Sequence, residues 1–247
     1  MEIFYPESRF GGFTQVDGTV AFYSRVQGLL TPESVVVDFG CGRGAYGSDP
    51  VEFRRNLRIF KGKARQVIGL DASAAGAENP YLDSFYKLED RHWPLPDSSV
   101  DLCVCDNVLE HLPDPATFFD EAQRVLKPGA SLCIRTPNRW NYIALLSRLV
   151  PNRRHAALLA KAKPGLREED IFPTLYRCNT IGAVRRALIR SGFDAVVYGY
   201  EAEPSYLSFS KAAYGLGVLH QRLAPGFMKA AIFAFGRKQA LNQDKIR

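Results

Sequence analysis

Apolar residues in this chain gather in two kinds of pattern that alternate along it. Short continuous apolar runs stand at residues 35–39, 67–70, 102–105 and 131–136, each closed by a glycine or a polar residue. Runs without polar alternation predict strands buried on both faces, as in a parallel sheet. Between them the spacing is helical. Phe118, Phe119, Ala122, Val125 and Leu126 share one face, opened by Asp114 as cap with Pro115 at the first turn and closed by Lys127-Pro128-Gly129. Thr180 opens a second helix with Ile181, Val184 and Leu188 on one stripe, and Gly192 closes it. Residues 194–200 and 231–235 predict two further strands, and the polar tail beyond Lys238 predicts a frayed end.

Alternating strands and helices with buried strands predict an α/β fold with a doubly wound, mostly parallel sheet. Such sheets bind ligands beyond the carboxyl ends of their strands. Gly40, Asp71 and Asp106 each follow a predicted strand, which puts them on one edge.

The first of these ends carries the densest chemistry: Val35-Val-Val-Asp-Phe-Gly-Cys-Gly-Arg-Gly-Ala-Tyr-Gly47. Gly40, Gly42 and Gly44 let the main chain turn sharply and let a ligand lie on it. Residues 40–45 also satisfy the dinucleotide pattern G-x-G-x-x-A, which is weak alone. Charge favours another ligand, because Asp38 beside the loop repels a pyrophosphate and attracts an amino group or a sulfonium. S-adenosylmethionine carries both cations and no phosphate. Asp71, ending the second run, can accept two ribose hydroxyls and suits either adenosine cofactor. Each acid has a plainer reading as a turn cap.

Length and composition then narrow the class. At 247 residues with a full apolar complement the chain suits one domain with insertions. Its start reads as no signal peptide, and no stretch of eighteen apolar residues suggests a span. Five cysteines in mostly apolar surroundings, with no Cys-x-x-Cys, predict reduced thiols, a cytoplasmic protein and no structural metal. The net charge of +6 is uneven: residues 54–65 hold six Lys/Arg and residues 139–167 hold seven, with no acid in either run. These are solvated helix faces or a field for an anionic partner such as a phosphorylated small molecule, nucleic acid or membrane.

Four motifs in order, VVVDFGCGRG, VIGLDAS, WPLPDSSVDLCVCDNVLEHLPDP and RVLKPGASLCIRTPN, resemble the class I S-adenosylmethionine-dependent methyltransferases, in particular the small-molecule "type 11" branch. The likeness is good over residues 34–138 and loose thereafter. It implies a seven-stranded Rossmann-like sheet in a single domain over 1–247, with residues 1–33 as an N-terminal cap over the cofactor. It implies that Asp38, Gly40, Cys41, Gly42 and Gly44 surround the methionine part, that Asp71 and Ala72 hold the ribose, and that Glu89 and Asp90 meet the adenine. Asp106, Asn107 and Val108 would line the other side of the cofactor, with Tyr23 and Arg25 reaching its carboxylate. One departure stands out. Asp38 and Asp71 are 33 residues apart, against about 20 in the usual loop-to-acid spacing. The first crossover helix is therefore expected near Pro50, after a longer loop.

The methyl acceptor is less legible. His111, just past a strand end, is the candidate general base, with Glu110 orienting it; a structural histidine is the plainer reading. Tyr176 and Arg177, at the end of a long insertion over 137–180 opened by Trp140, Asn141 and Tyr142, are a second candidate group, Tyr176 being the catalytic candidate. A second insertion, 201–229, carries Phe209, Ala212, Ala213, Leu216 and Leu219 at helical spacing, edged by Lys211, His220 and Arg222. Core packing is its default reading, and contact with a membrane or a lipid-linked substrate is the other. Together these features predict methylation of a small, anionic molecule, foremost O-methylation of a sugar, a lipid-linked saccharide or another metabolite. The alternative is an RNA or nucleic-acid methyltransferase, although no appended RNA-binding module is visible, and a dehydrogenase or a non-enzymatic use of the fold comes third.

Overall fold

The computed structural model describes residues 2–141 and 172–240. Seven strands form one sheet: β1 (Val35–Phe39), β2 (Gln66–Asp71), β3 (Ser84–Lys87), β4 (Val100–Asp106), β5 (Leu126–Pro137), β6 (Phe193–Tyr200) and β7 (Ala231–Lys238). Their order is β3-β2-β1-β4-β5-β7-β6. The first five run parallel, and β7 is antiparallel to both its neighbours. The doubly wound sheet expected from the hydrophobic runs is therefore present.

Strand alternation explains the two cores. Val35, Val37 and Phe39 of β1, with Cys103 and Cys105 of β4, pack against Phe118, Phe119, Ala122 and Val125 of the helix Pro115–Val125. Val36, Leu102, Val104 and Cys133 face the other way, onto Phe22, Tyr23 and Val26 of the helix Gly18–Gln27. In chain order the described helices are α1 (Gly18–Gln27), α2 (Glu52–Arg58), α3 (Pro115–Val125), α4 (Ile181–Arg190) and α5 (Lys211–Leu223). All five cysteines are buried free thiols, and burial raises their titration, so they are inert packing.

Several local expectations are refined. Beyond Gly44 the chain makes a 3-10 turn over Ala45–Ser48 before α2 begins at Glu52, so the loop is long and the helix short. After α3 the chain does not leave the sheet. Leu126 already pairs with Val100, and Lys127 to Ala130 form an irregularity, with Gly129 at φ +81°, before Ser131 resumes the ladder. Thr180 caps α4 by accepting the Ala183 N–H at 3.1 Å. Within residues 1–33, α1 packs Phe22, Tyr23 and Val26 on the sheet, and Asp17 caps it by accepting the N–H groups of Thr19 and Val20 at 2.8 and 2.9 Å. Most of the first insertion, residues 142–171 with Tyr142 and most of the second basic run, lies outside the described residues, as does the tail 241–247.

Candidate functional site

Beyond the carboxyl ends of β1, β2 and β4 opens a cleft of about 1150 Å³. Its floor is the loop from Gly40 to Tyr46. Gly40 and Gly44 must be glycines here. Gly40 has φ +72° and a Cβ there would run into Val108, while Gly44 has φ +73° and lies under the Asn79 amide and the Tyr81 ring. The bare backbone thus admits close neighbours from two sides. Asn79, buried, ties the loop down by donating to the carbonyls of Cys41 and Gly42 at 3.1 and 3.2 Å.

Asp71 stands at the end of β2 in the cleft wall. Its Oδ2 accepts the Gly42 N–H at 2.9 Å and its Oδ1 accepts the Ser73 N–H at 2.8 Å. These bonds fix the carboxylate and leave lone pairs for two hydroxyls. They also withdraw the Gly42 N–H from service to a pyrophosphate. Ala72, Glu89 and Asp90 continue the wall, while Trp93 closes the back by stacking on Phe39 at 4.9 Å. Asn107, Val108 and His111 form the opposite wall, with Phe172 from the far end of the insertion.

Two of the acids expected to touch the cofactor sit deeper. Asp106 is not at the cleft surface: Arg135 grips it from Nε at 2.6 Å and Nη2 at 2.7 Å, and the Tyr23 hydroxyl donates to it at 2.9 Å. Burial pushes the Asp106 carboxyl up, but Arg135 outweighs this and holds it below the usual range. Asp38 lies behind the glycine loop. Burial, with Asp106 and Asp71 as near charges and Arg58 opposing, pushes its carboxyl up to about 7. Tyr23 serves Asp106, and Arg25 turns onto the Ala21 carbonyl at 2.9 Å, so neither is a free donor at the cleft.

Arg58 is the residue that pattern reading missed. It lines the cleft, lies 4.7 Å over the Tyr46 ring and 5.5 Å over Tyr23, and reaches Asp106 at 3.6 Å. Others in the basic run behave alike. Arg54 binds Asp49 at 2.6 and 2.7 Å and Asp17 at 2.8 Å, and Lys61 donates to the carbonyls of Pro80 and Leu82. These cations are internal braces. Their acidic partners are distant in sequence, apart from Asp49, so only the signal of an acid-free run on a short helix was visible.

His111 donates from Nδ1 to the Pro173 carbonyl at 3.0 Å, because a carbonyl can only accept. Its Nε2 lies 3.7 Å from Glu110, whose buried carboxylate accepts the Thr136 hydroxyl at 2.9 Å. Tyr176 is not brought to the cleft lining. It sits at φ +52° with its N–H, like that of Leu175, on the Glu110 carbonyl, and Arg177 is exposed on the same strand of chain. Trp140 is half exposed and Asn141 is buried on the Asn138 and Ala230 carbonyls.

The set fits a cationic nucleoside: acids near the loop and a carboxylate with lone pairs to spare for ribose. Asp38 makes the fit testable. With no cation beside it, the raised value means that the folded state holds the proton between about pH 4 and 7, so this contribution to stability is full below about pH 4, falls as pH rises from there and is lost above 7. A bound cation favours the ionised form. Affinity for S-adenosylmethionine should therefore be about tenfold weaker at pH 6 than at pH 8, with proton uptake by buffer in calorimetry. Asp38→Asn should flatten that profile.

Comparison with known proteins agrees. A family model described as a methyltransferase domain matches residues 15–197. A probable S-adenosylmethionine-dependent methyltransferase of Mycolicibacterium smegmatis is 39% identical over 112 residues, covering 43% of this chain and 39% of its own length. The chain thus spans about two fifths of the length of such relatives. Trans-aconitate 2-methyltransferase of an Azoarcus species is 32% identical over 216 residues, covering 76% of this chain and 79% of that protein. The crystal structure of a methyltransferase from Archaeoglobus fulgidus, 16% identical, superposes with a TM-score of 0.55 over 94% of this chain and 97% of that one, which speaks for the fold. The glycine loop, the acid-ended strands and these matches agree that the chain belongs to the class I S-adenosylmethionine-dependent methyltransferase family.

Proposed function

We propose that this protein transfers the methyl group of S-adenosylmethionine to a small molecule, foremost to a hydroxyl of a sugar, a lipid-linked saccharide or another metabolite. The observation that carries the reading is a single cleft with the glycine loop and Asp71 on one wall and His111 on the other. Trans-aconitate 2-methyltransferase, by its name, modifies a small molecule, which supports the substrate class. Bound here, the cofactor supplies a methyl group on cationic sulfur, already activated for in-line displacement. The protein's work is then placement and proton removal.

In this reading Asp71 holds the ribose, Glu89 and Asp90 flank the adenine, and Asp38 favours the cationic end from below the loop. His111 takes the acceptor's proton at Nε2, the nitrogen left bare when Nδ1 donates to Pro173. Glu110, 3.7 Å away, steadies the imidazolium that results. Tyr176 is a positioning residue here, since its N–H helps to hold Glu110.

His111→Gln should lower kcat by about 100-fold while the calorimetric affinity for S-adenosylmethionine stays at the wild-type value. Unchanged turnover would remove the base role. An absence of cofactor heat in the wild type would remove the whole reading. The nucleic-acid alternative draws on the +6 charge, yet residues 54–65 are largely spent on internal partners. It predicts RNA binding that weakens steeply with salt; flat, negligible binding disfavours it.

A further inference from the structure

We propose that the outer face of α5, with the turns that flank it, docks on an anionic membrane surface. Helix α5 buries Tyr214, Gly217 and Val218 and turns Ala212, Leu216, Leu219 and Leu223 outward. The spacing of four, three and four residues keeps these on one stripe. Phe209 before the helix and Phe227 after it are exposed too, at 79% and 62%, and Leu216 and Leu223 are 69% and 71% exposed. Isolated exposed leucines need no explanation, but a continuous apolar stripe along a helix does.

Charge identifies the occupant. Residues 204–240 contain no Asp or Glu, and Lys211, Arg222 and Lys229 border the stripe. Two acids near the helix turn inward: Glu201 accepts the Ala230 N–H at 2.6 Å and Glu203 accepts the Thr14 hydroxyl at 3.0 Å. A second copy packed face to face would bring this cationic border against itself. A nucleic acid would leave six apolar side chains without a role. A bilayer with anionic headgroups answers both features, taking the apolar side chains into the interface and the cations at the phosphates.

Position gives the face a use. Tyr200 pairs with Ala231, and Ala231 with Pro137, so the connection bearing α5 leaves from the same sheet edge as the cofactor cleft. Asn138 anchors it there by donating to the carbonyls of Phe227 and Lys229 at 2.7 and 2.9 Å. A bilayer on this face would present membrane-resident acceptors to that edge. Docking itself stands without the methyltransferase reading.

The test is cosedimentation of the full chain with vesicles of phosphatidylglycerol and phosphatidylcholine, against vesicles of phosphatidylcholine alone. Binding should require the anionic lipid and fall about tenfold or more from roughly 0.05 M to roughly 0.5 M salt. Leu216→Gln with Leu223→Gln, both at exposed positions, should cut the partition at least about tenfold. Lys211→Gln with Arg222→Gln should do the same on anionic vesicles. Calorimetry with S-adenosylmethionine should be unchanged in these variants, which separates lost docking from lost folding and from failure of the cofactor reading. No cosedimentation, or binding that ignores lipid charge and the leucines, would overturn the proposal. A wild-type dimer that the leucine variant makes monomeric would also overturn it, assigning the face to self-association.

Discussion

Arg135→Met should destabilise the folded protein by about 3–5 kcal/mol, read as a fall of about 10 °C in Tm. The reason is what remains behind. Arg135 and Asp106 are both buried, with side chains 11% and 6% exposed, and they meet through two bonds of 2.6 and 2.7 Å. Methionine fills much of the volume but leaves Asp106 without its main cation. Arg58, at 3.6 Å, is too far to replace a bidentate partner. Breaking a buried pair from one side costs more than the pair contributes, because the surviving charge is stranded.

The pH dependence gives an independent check. Arg135 holds the Asp106 carboxyl below its ordinary value. A depressed carboxylate contributes stability above its unfolded pKa, and the contribution is lost as pH falls through the folded one. The wild type should therefore lose this term on acidification, while Arg135→Met, having lost it already, should show a flatter acid limb. The double variant Arg135→Met with Asp106→Asn should recover part of the loss. An unchanged Tm for the single variant would mean that water, and not Arg135, compensates Asp106.

The pair also shows where sequence reading stopped. Strands β1, β2, β4 and the core of β5 were legible because burial on both faces leaves an unbroken apolar run. Capped α3 and α4 were legible because their caps are local. The short edge strand β3, Ser84–Lys87, was not, since an edge pairs on one side only and its sequence SFYK carries no run. In the site, Gly40, Gly44 and Asp71 announce themselves by type and position. Arg58, Arg135 and Asn79 do not, because their roles lie in partners far away in sequence, as with Arg135 and Thr19, 116 residues apart. Asp106 was visible as an acid at a strand end, but its capture by Arg135 was not. Helix α5 misled for a related reason. Its apolar stripe reads as a core face, yet the helix packs through Gly217, where a Cβ would lie 2.5 Å from that of Pro204. Close approach on the glycine side leaves the leucines outside.

Asp71→Ala should weaken S-adenosylmethionine binding by roughly 10²–10⁴-fold in calorimetry, with little change in folding. Two charge-assisted bonds to ribose hydroxyls at about 1.5–3 kcal/mol each account for a loss of that size. The carboxylate is pre-aimed by the N–H groups of Gly42 and Ser73, so little ordering is needed on binding. Asp71→Asn separates the two jobs. It keeps the shape and one accepting oxygen, and it should lose only about tenfold. The sign also discriminates between cofactors at the glycine loop. A pyrophosphate there would be repelled by Asp71, and removing the acid would free the Gly42 N–H to bind it, so affinity for such a ligand would rise through the phosphate contacts. A fall in S-adenosylmethionine affinity is the outcome this geometry requires, and equal binding of S-adenosylmethionine by wild type and Asp71→Ala would remove Asp71 from the ribose.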